Sequence, residues 1–287
     1  MTQAPDASAP RWRWLKRVGL ALITLVVVVW AGLMASLYFK QNDLLFMPGV
    51  EVVRTPQHIG LPFEDKRVQT EDGESLAAWW IPHPQPRCSV IHFHGNAGNR
   101  SGRLSDAKRF HEFGCNVLMT DYRGYGGSTG SPSEAGTYLD AEAMWDAALD
   151  AGAQPGSTLV FGRSLGGPNA AYLASQRPAG GLILESTFES LPALADDLFG
   201  WLSLHALVRN KYPTAEHLAG FAGPVLILHS SEDDLIPFEH GRRLAQGHGD
   251  AARFVELAGD HNHGPSATGA PYVAALSEFV DTVAGSR

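Results

Sequence analysis

Ser164 lies in the run Gly162-Arg163-Ser164-Leu165-Gly166-Gly167, directly after the apolar stretch Thr158 to Phe161 and before a helix-like stretch. A serine between glycines at a strand-to-helix turn suits nucleophilic attack. The strained turn lifts the hydroxyl above a sheet, and the residues two before and two after must be small because strand and helix pass in contact there. The free hydroxyl is a weak nucleophile at neutral pH. It needs an imidazole base, and the base needs a carboxylate to hold its tautomer and stabilise its cation. Ser164, Asp233 and His261 stand in the order serine, acid, histidine that such an elbow requires. Alone, the glycine-flanked serine leaves a plain strand-to-helix turn open as the lesser alternative; partners in this order narrow it further toward catalysis.

Neighbours compete for two of these roles. Asp233 is flanked by Glu232 and Asp234, and His263 follows His261 closely enough to be its rival or a solvated loop residue. Asp121 and Glu185 also end apolar runs and are weaker candidates for the acid, since a carboxylate at a glycine-rich turn more often ties down loop amides. The developing oxyanion needs two amide donors. The loop His94-Gly95-Asn96-Ala97-Gly98-Asn99 offers that of Asn96, opposite the amide of Leu165 at the start of the helix after Ser164. His92, His94, His261 and His263 lack the carboxylate and third-histidine spacing of common hydrolytic zinc sites, so the expectation is no metal and no cofactor.

Positioning these groups falls to alternating apolar runs and helical patterns. Candidate strands are Arg67 to Gln69, Leu76 to Ile81, Ser89 to His94, Asn116 to Asp121, Thr158 to Gly162, Gly181 to Glu185, Val225 to His229 and Arg253 to Leu257. Helix-like stretches fall at about 99–113, 134–151, 165–177, 238–247 and 271–284. From the third strand on, the runs are almost unbroken apolar segments separated by helices, which predicts an α/β fold: a mostly parallel eight-stranded sheet flanked by helices. Glu71, Asp72 and Gly73 predict an antiparallel hairpin at its edge. Ligands in such sheets bind beyond the carboxyl ends of the strands, where every candidate above is placed.

The chain has 287 residues, and its net charge of -8 argues against a nucleic-acid partner. The first 17 residues run the other way, at +3, with Arg11, Arg13, Lys16 and Arg17 against Asp6. Val18 to Phe39 then carries no charge over 22 residues, which as a helix spans roughly 33 Å against about 30 Å of bilayer hydrocarbon. The expectation is a cytoplasmic basic segment (1–17), a transmembrane helix (18–39) and a catalytic domain (40–287) on the extracytoplasmic side, periplasmic in a bacterium. A cleaved signal peptide is the rival reading, against which Leu33 and Ala35 make a poor cleavage site. Cys88 and Cys115 read either as two buried thiols or, if their strands are neighbours, as a disulfide pair in an oxidising compartment.

Several stretches in register carry a resemblance: Leu45, Phe46 and Pro48 after the apolar helix, Asp72-Gly73, His94 to Asn99, Asp121 to Ser128, Gly162 to Gly167, Glu185 to Phe188, His229 to Pro237 and Gly259 to Asn262. On these the chain, from about residue 41 to 284, resembles the single-pass, membrane-anchored α/β-hydrolase-domain proteins. The resemblance implies that the acid is the Asp of a D-x-x-[VI]-P run, met by Asp233 with Ile236 and Pro237, and that the histidine precedes Asn, which selects His261. It also implies that the insertion at about 187–223 is a small helical lid. Ser230 and Pro168 depart from the family pattern. The implied activity is serine hydrolysis of carboxylic esters or thioesters, with a small-molecule or lipid acyl substrate. A peptidase or amidase on the same triad, or a non-catalytic scaffold of this fold, are the alternatives. The leucines of the insertion recur at helical spacing and suit core packing as well as an acyl groove.

Overall fold

The computed structural model describes residues 11–200 and 204–285. Asp6 of the basic segment and Trp201 and Leu202 of the insertion lie outside the described residues. In chain order the elements are α1 (Arg11–Phe39), α2 (Gln41–Leu45), β1 (Met47–Pro48), β2 (Glu64–Gln69), β3 (Ser75–Ile81), β4 (Cys88–Phe93), β5 (Ala97–Gly98), α3 (Leu104–Glu112), β6 (Cys115–Thr120) and α4 (Glu134–Asp150). There follow β7 (Thr158–Arg163), α5 (Gly166–Gln176), β8 (Gly181–Glu185), α6 (Leu191–Phe199), α7 (Thr214–Ala219), β9 (Val225–Ser230), α8 (Phe238–His248), β10 (Ala252–Leu257), α9 (Gly264–Thr268) and α10 (Ala270–Ala284). The chain divides into two units, one ending at Asn42 and one beginning at Asp43.

In the N-terminal unit, α1 is long and apolar enough over Trp12–Phe39 to cross a membrane. It is helical from Arg11 rather than from Val18, because no residue between Arg11 and Arg17 breaks a helix, and Lys16 folds back over the Trp12 ring, 3.3 Å from its centroid, one turn away.

The second unit is built on an eight-stranded sheet of order β10-β9-β8-β7-β4-β6-β3-β2. All pairings are parallel except the two made by β3, with β2 and with β6. The edge hairpin forms as expected. Thr70 closes its turn, with its hydroxyl accepting from the Glu74 amide and donating to Asp72. The stretch from Gln41 to Ile59, which carries no periodicity, is more ordered than its sequence suggests: it contains α2 and the short strand β1, which pairs in parallel with β5. β1 includes Pro48, and its register is set by backbone contact with the loop after β4 rather than by side-chain alternation.

Every residue of β4 and β6 is buried, so both faces of the sheet pack against helices. Alternate strand residues serve the two layers. Ile91, Val160 and Ile227 face the layer of α4, α5 and α8, while Val90, Phe161 and Leu228 face that of α3 and α10. From β4 the chain runs through α3 to β6 on one side, then returns through α4 to β7 on the other. The strand order reverses there, which opens a crevice at the carboxyl ends of β4 and β7.

Cys88 and Cys115 are register partners on β4 and β6 and form a disulfide, with Cα atoms 4.5 Å apart. The bridge closes a separation of 27 residues, a loop for which chain entropy predicts about 3.5 kcal/mol. The Cys88→Ala/Cys115→Ala double variant should lose about that much stability in urea unfolding, as should the wild type under reductant. Because both cysteines start their strands, at the end away from the crevice, native-state turnover should not change.

Candidate active site

Ser164 directly follows β7 and adopts φ 51°, a left-handed conformation that side-chain-bearing residues rarely take. The surroundings over-determine it. The Ser164 amide donates to the Glu185 carbonyl on β8 (2.9 Å), and its carbonyl accepts from the Gly167 amide (2.9 Å) and the Thr187 hydroxyl (2.7 Å). The flanking glycines are steric necessities. A Cβ on Gly162 would run into the Gly166 carbonyl, one on Gly166 into the Phe93 carbonyl, and one on Gly167 into Thr187. Pro168, a departure from the family pattern, falls in the first turn of α5, where a missing amide hydrogen removes no intrahelical bond.

His261 and Asp233 meet from loops after β10 and β9. The imidazole Nδ1 lies 2.8 Å from Asp233 Oδ2 and 3.1 Å from Oδ1. Oδ1 also accepts from the Leu235 and Ile236 amides, at 3.0 and 2.8 Å. Burial opposes ionisation of Asp233, but the hydrogen bonds from His261 and from these amides outweigh it and hold the carboxyl below its ordinary value. An ionised carboxylate only accepts, so Nδ1 carries the proton and Nε2 is left with its lone pair, the tautomer of a base. His229 closes the far side of the carboxylate. Burial lowers its pKa, it bonds the Ile236 carbonyl at 3.0 Å, and it lies 3.5 Å from Asp233 Oδ2.

The competing carboxylates and histidines are engaged elsewhere. Asp234 accepts from the His261 backbone amide at 3.1 Å and Glu232 from that of Gly259 at 2.6 Å, so both brace the histidine loop. His263 is exposed and pairs with Asp260. Asp121 is fully buried between His94, the Arg100 guanidinium and the Arg100 amide, where it ties down the loop. His92 pairs with Asp106 at 3.2 Å. Glu185 lies beneath the elbow, 3.3 Å from Arg163 and accepting from the Tyr272 hydroxyl at 2.6 Å.

Three contacts around the site were not foreseen from the sequence. Arg163 Nη2 donates to the His261 carbonyl at 2.7 Å, linking the elbow to the histidine across 98 positions. Thr187 buttresses Ser164 as described above. The Ser230 hydroxyl donates to the Gly259 carbonyl and accepts from the Glu232 amide, so the departure from glycine at this position stitches the acid loop to the histidine loop.

Ser164 and His261 open on one cavity of about 420 Å³, shared with Gly95, Asn96, Leu165 and Asn262. The Ser164 hydroxyl makes no hydrogen bond to the imidazole; such pairs are often loose until substrate is bound. Asn96 is fixed at the cavity rim. Its carbonyl accepts from the Tyr125 hydroxyl (2.8 Å) and the Met47 amide (3.0 Å), which explains the β1–β5 pairing beside it. Leu165 precedes the first turn of α5, where amides have no intrahelical partner. Leu191 and Leu194 of α6 both pack on the core and line the cavity, while Leu198 and Phe199 are exposed. A separate depression of about 320 Å³ beside β2 and α4 is lined by no serine, cysteine or histidine.

A family model described as alpha/beta hydrolase fold matches residues 89–216. An uncharacterized protein of Mycobacterium tuberculosis is 33% identical over 94% of this chain and 98% of its own length. The alpha/beta hydrolase domain-containing protein WAV2 of Arabidopsis thaliana is 33% identical over 76% of this chain and 78% of its own. Among solved structures, the Pyrococcus furiosus esterase Pf2001 superposes with a TM-score of 0.71 at 19% identity, over 84% of this chain and 98% of that one. Sheet order, elbow and relatives agree: the chain belongs to the α/β-hydrolase family.

Proposed function

We propose that this protein is a membrane-anchored serine hydrolase that cleaves carboxylic esters or thioesters through an acyl-enzyme. The observation that carries the reading is the pairing of an ionised Asp233 with Nδ1 of His261, in a cavity lined by a strained, elbow-borne Ser164. Nε2 of His261 takes the hydroxyl proton as Ser164 Oγ attacks the acyl carbonyl. The Asn96 and Leu165 amides receive the oxyanion, and the imidazolium returns its proton to the leaving alcohol or thiol. Water, deprotonated by the same imidazole, then frees the acid. The apolar side of the cavity, with Leu45, Phe188, Leu191, Leu194 and Ile236, suits an acyl chain.

In this reading α1 anchors the protein. Arg13, Lys16 and Arg17 keep its start cytoplasmic by the positive-inside rule, and the Cys88–Cys115 bridge supports an oxidising, extracytoplasmic location for the rest. The test is a fluorophosphonate probe combined with an ester, thioester and amide panel. Covalent labelling that Ser164→Ala abolishes, with ester or thioester turnover above amide turnover, is the expected outcome. Labelling with amide preference would make it a peptidase or amidase. No labelling and no turnover would leave a scaffold.

A further inference from the structure

The cavity is not uniformly apolar. Its leucine wall belongs to the layer of α4, α5 and α8, because Leu45, Leu191, Leu194 and Ile236 all pack against that core. Its opposite side is made by Arg103, at the entry to α3, and by Arg163, whose partner Glu185 bonds Tyr272 of α10. The carboxylates on that side already have partners: Asp106 holds His92 and Arg109, and Glu185 holds Arg163. Three guanidinium groups, of Arg103, Arg109 and Arg163, therefore face two carboxylates, and the unmatched charge falls on the cavity side.

Arg103 is the residue left over. Among the described residues it forms no ion pair, its Nε is buried without a hydrogen-bond partner, and its Nη2 makes one long bond, 3.4 Å, to the Ala97 carbonyl. A guanidinium offers five donors, and leaving a buried one unmade is unfavourable. Burial, and then repulsion from Arg163, pull its pKa below the ordinary value against the attraction of Asp106 and Glu185, and an anion placed between the two guanidinium groups would offset their repulsion.

Resting on the reading of this site as a serine hydrolase, we infer that Arg103 and Arg163 form an anion subsite, and that the substrate is an ester or thioester bearing a carboxylate or phosphate group opposite its apolar part. Arg163 is fixed by His261 and Glu185, so it supplies charge in place. Arg103, which has no ion pair among the described residues, supplies the forked donors that match an oxyanion.

The test uses the full chain in neutral detergent and two ester pairs. Mono-4-nitrophenyl glutarate against 4-nitrophenyl pentanoate puts the charge on the acyl side; 4-acetoxybenzoate against its methyl ester puts it on the alcohol side. The expected result is that in one pair kcat/KM favours the anionic ester by about tenfold or more. That ratio should fall to about one in Arg103→Gln and be partly kept in Arg103→Lys. Reading the ratio cancels any general loss of activity in the variants. Wild-type ratios near one in both pairs, or a ratio unchanged in Arg103→Gln, overturn the subsite. Calorimetric titration with glutarate and with inorganic phosphate reads the subsite without catalysis and separates the two anion classes. Binding lost in Arg103→Gln supports the subsite even if no ester turns over, a result that would sink only the hydrolase reading. No binding of either anion, together with flat ester ratios, overturns the subsite alone.

Discussion

Ser164→Ala should lower kcat for a hydrolysable ester by roughly a million-fold and abolish fluorophosphonate labelling, with the far-ultraviolet circular dichroism spectrum unchanged. The substitution removes the atom that forms the acyl bond and leaves the Asn96 and Leu165 amides and the cavity walls intact, so residual catalysis above water should persist. Stability separates the hydroxyl from the backbone that presents it. Alanine keeps a Cβ at φ 51° and so keeps the strain, whereas Ser164→Gly relieves it. The glycine variant should be equally inactive and about 1 kcal/mol more stable in urea unfolding. An alanine variant that retains more than a thousandth of wild-type kcat would mean that another group attacks.

Asp233→Asn should lower kcat by about 10,000-fold while KM changes little. An asparagine presents either its carbonyl or its amide to Nδ1. If the amide faces the ring, Nδ1 must accept, the proton moves to Nε2, and the base is lost. The Leu235 and Ile236 amides, which donate to Oδ1, oblige the asparagine carbonyl to face them and so turn its NH₂ toward His261. The same variant reports on stability through pH. The folded pKa of Asp233 is depressed, so its contribution is present above the unfolded value of about 3.9 and is lost as pH falls through the lowered folded value. Asp233→Asn should therefore flatten the acid side of the stability profile, measured by unfolding between about pH 2 and 6. Asp234→Asn, which leaves the imidazole contact untouched, should show a much smaller loss of kcat.

The fold was legible because both kinds of signal it needs are local. Unbroken apolar runs such as Val117 to Met119 and Leu159 to Phe161 can be accommodated only where both faces are covered, and Glu71-Asp72-Gly73 announces a hairpin within a few residues. The elbow was legible for the same reason: Gly162, Ser164 and Gly166 are spaced by the steric demands of one turn. Choosing Asp233 over Asp234 was a different matter. Residue chemistry treats the two alike, and only the resemblance, through Ile236 and Pro237, distinguished them. In the structure their difference is one of direction, with Asp233 aimed at the ring and Asp234 at the backbone of the same histidine. Arg163, Thr187, Ser230 and Arg103 could not be read at all, since each acts on a segment whose proximity exists only once the sheet has formed. The β1–β5 pair was equally hidden, because two residues, one of them proline, carry no periodicity.

The passage of Gly162 against Gly166, and of Gly166 against Phe93, has a consequence for how this enzyme could diversify. The ground beneath Ser164 is backbone packed on backbone, so no change of side chain there can reshape it. New selectivity has to be acquired at the periphery, in the inserted helices and at the entry to α3. Transplanting residues 187–223 from a relative should therefore redirect substrate choice without rebuilding the reacting centre.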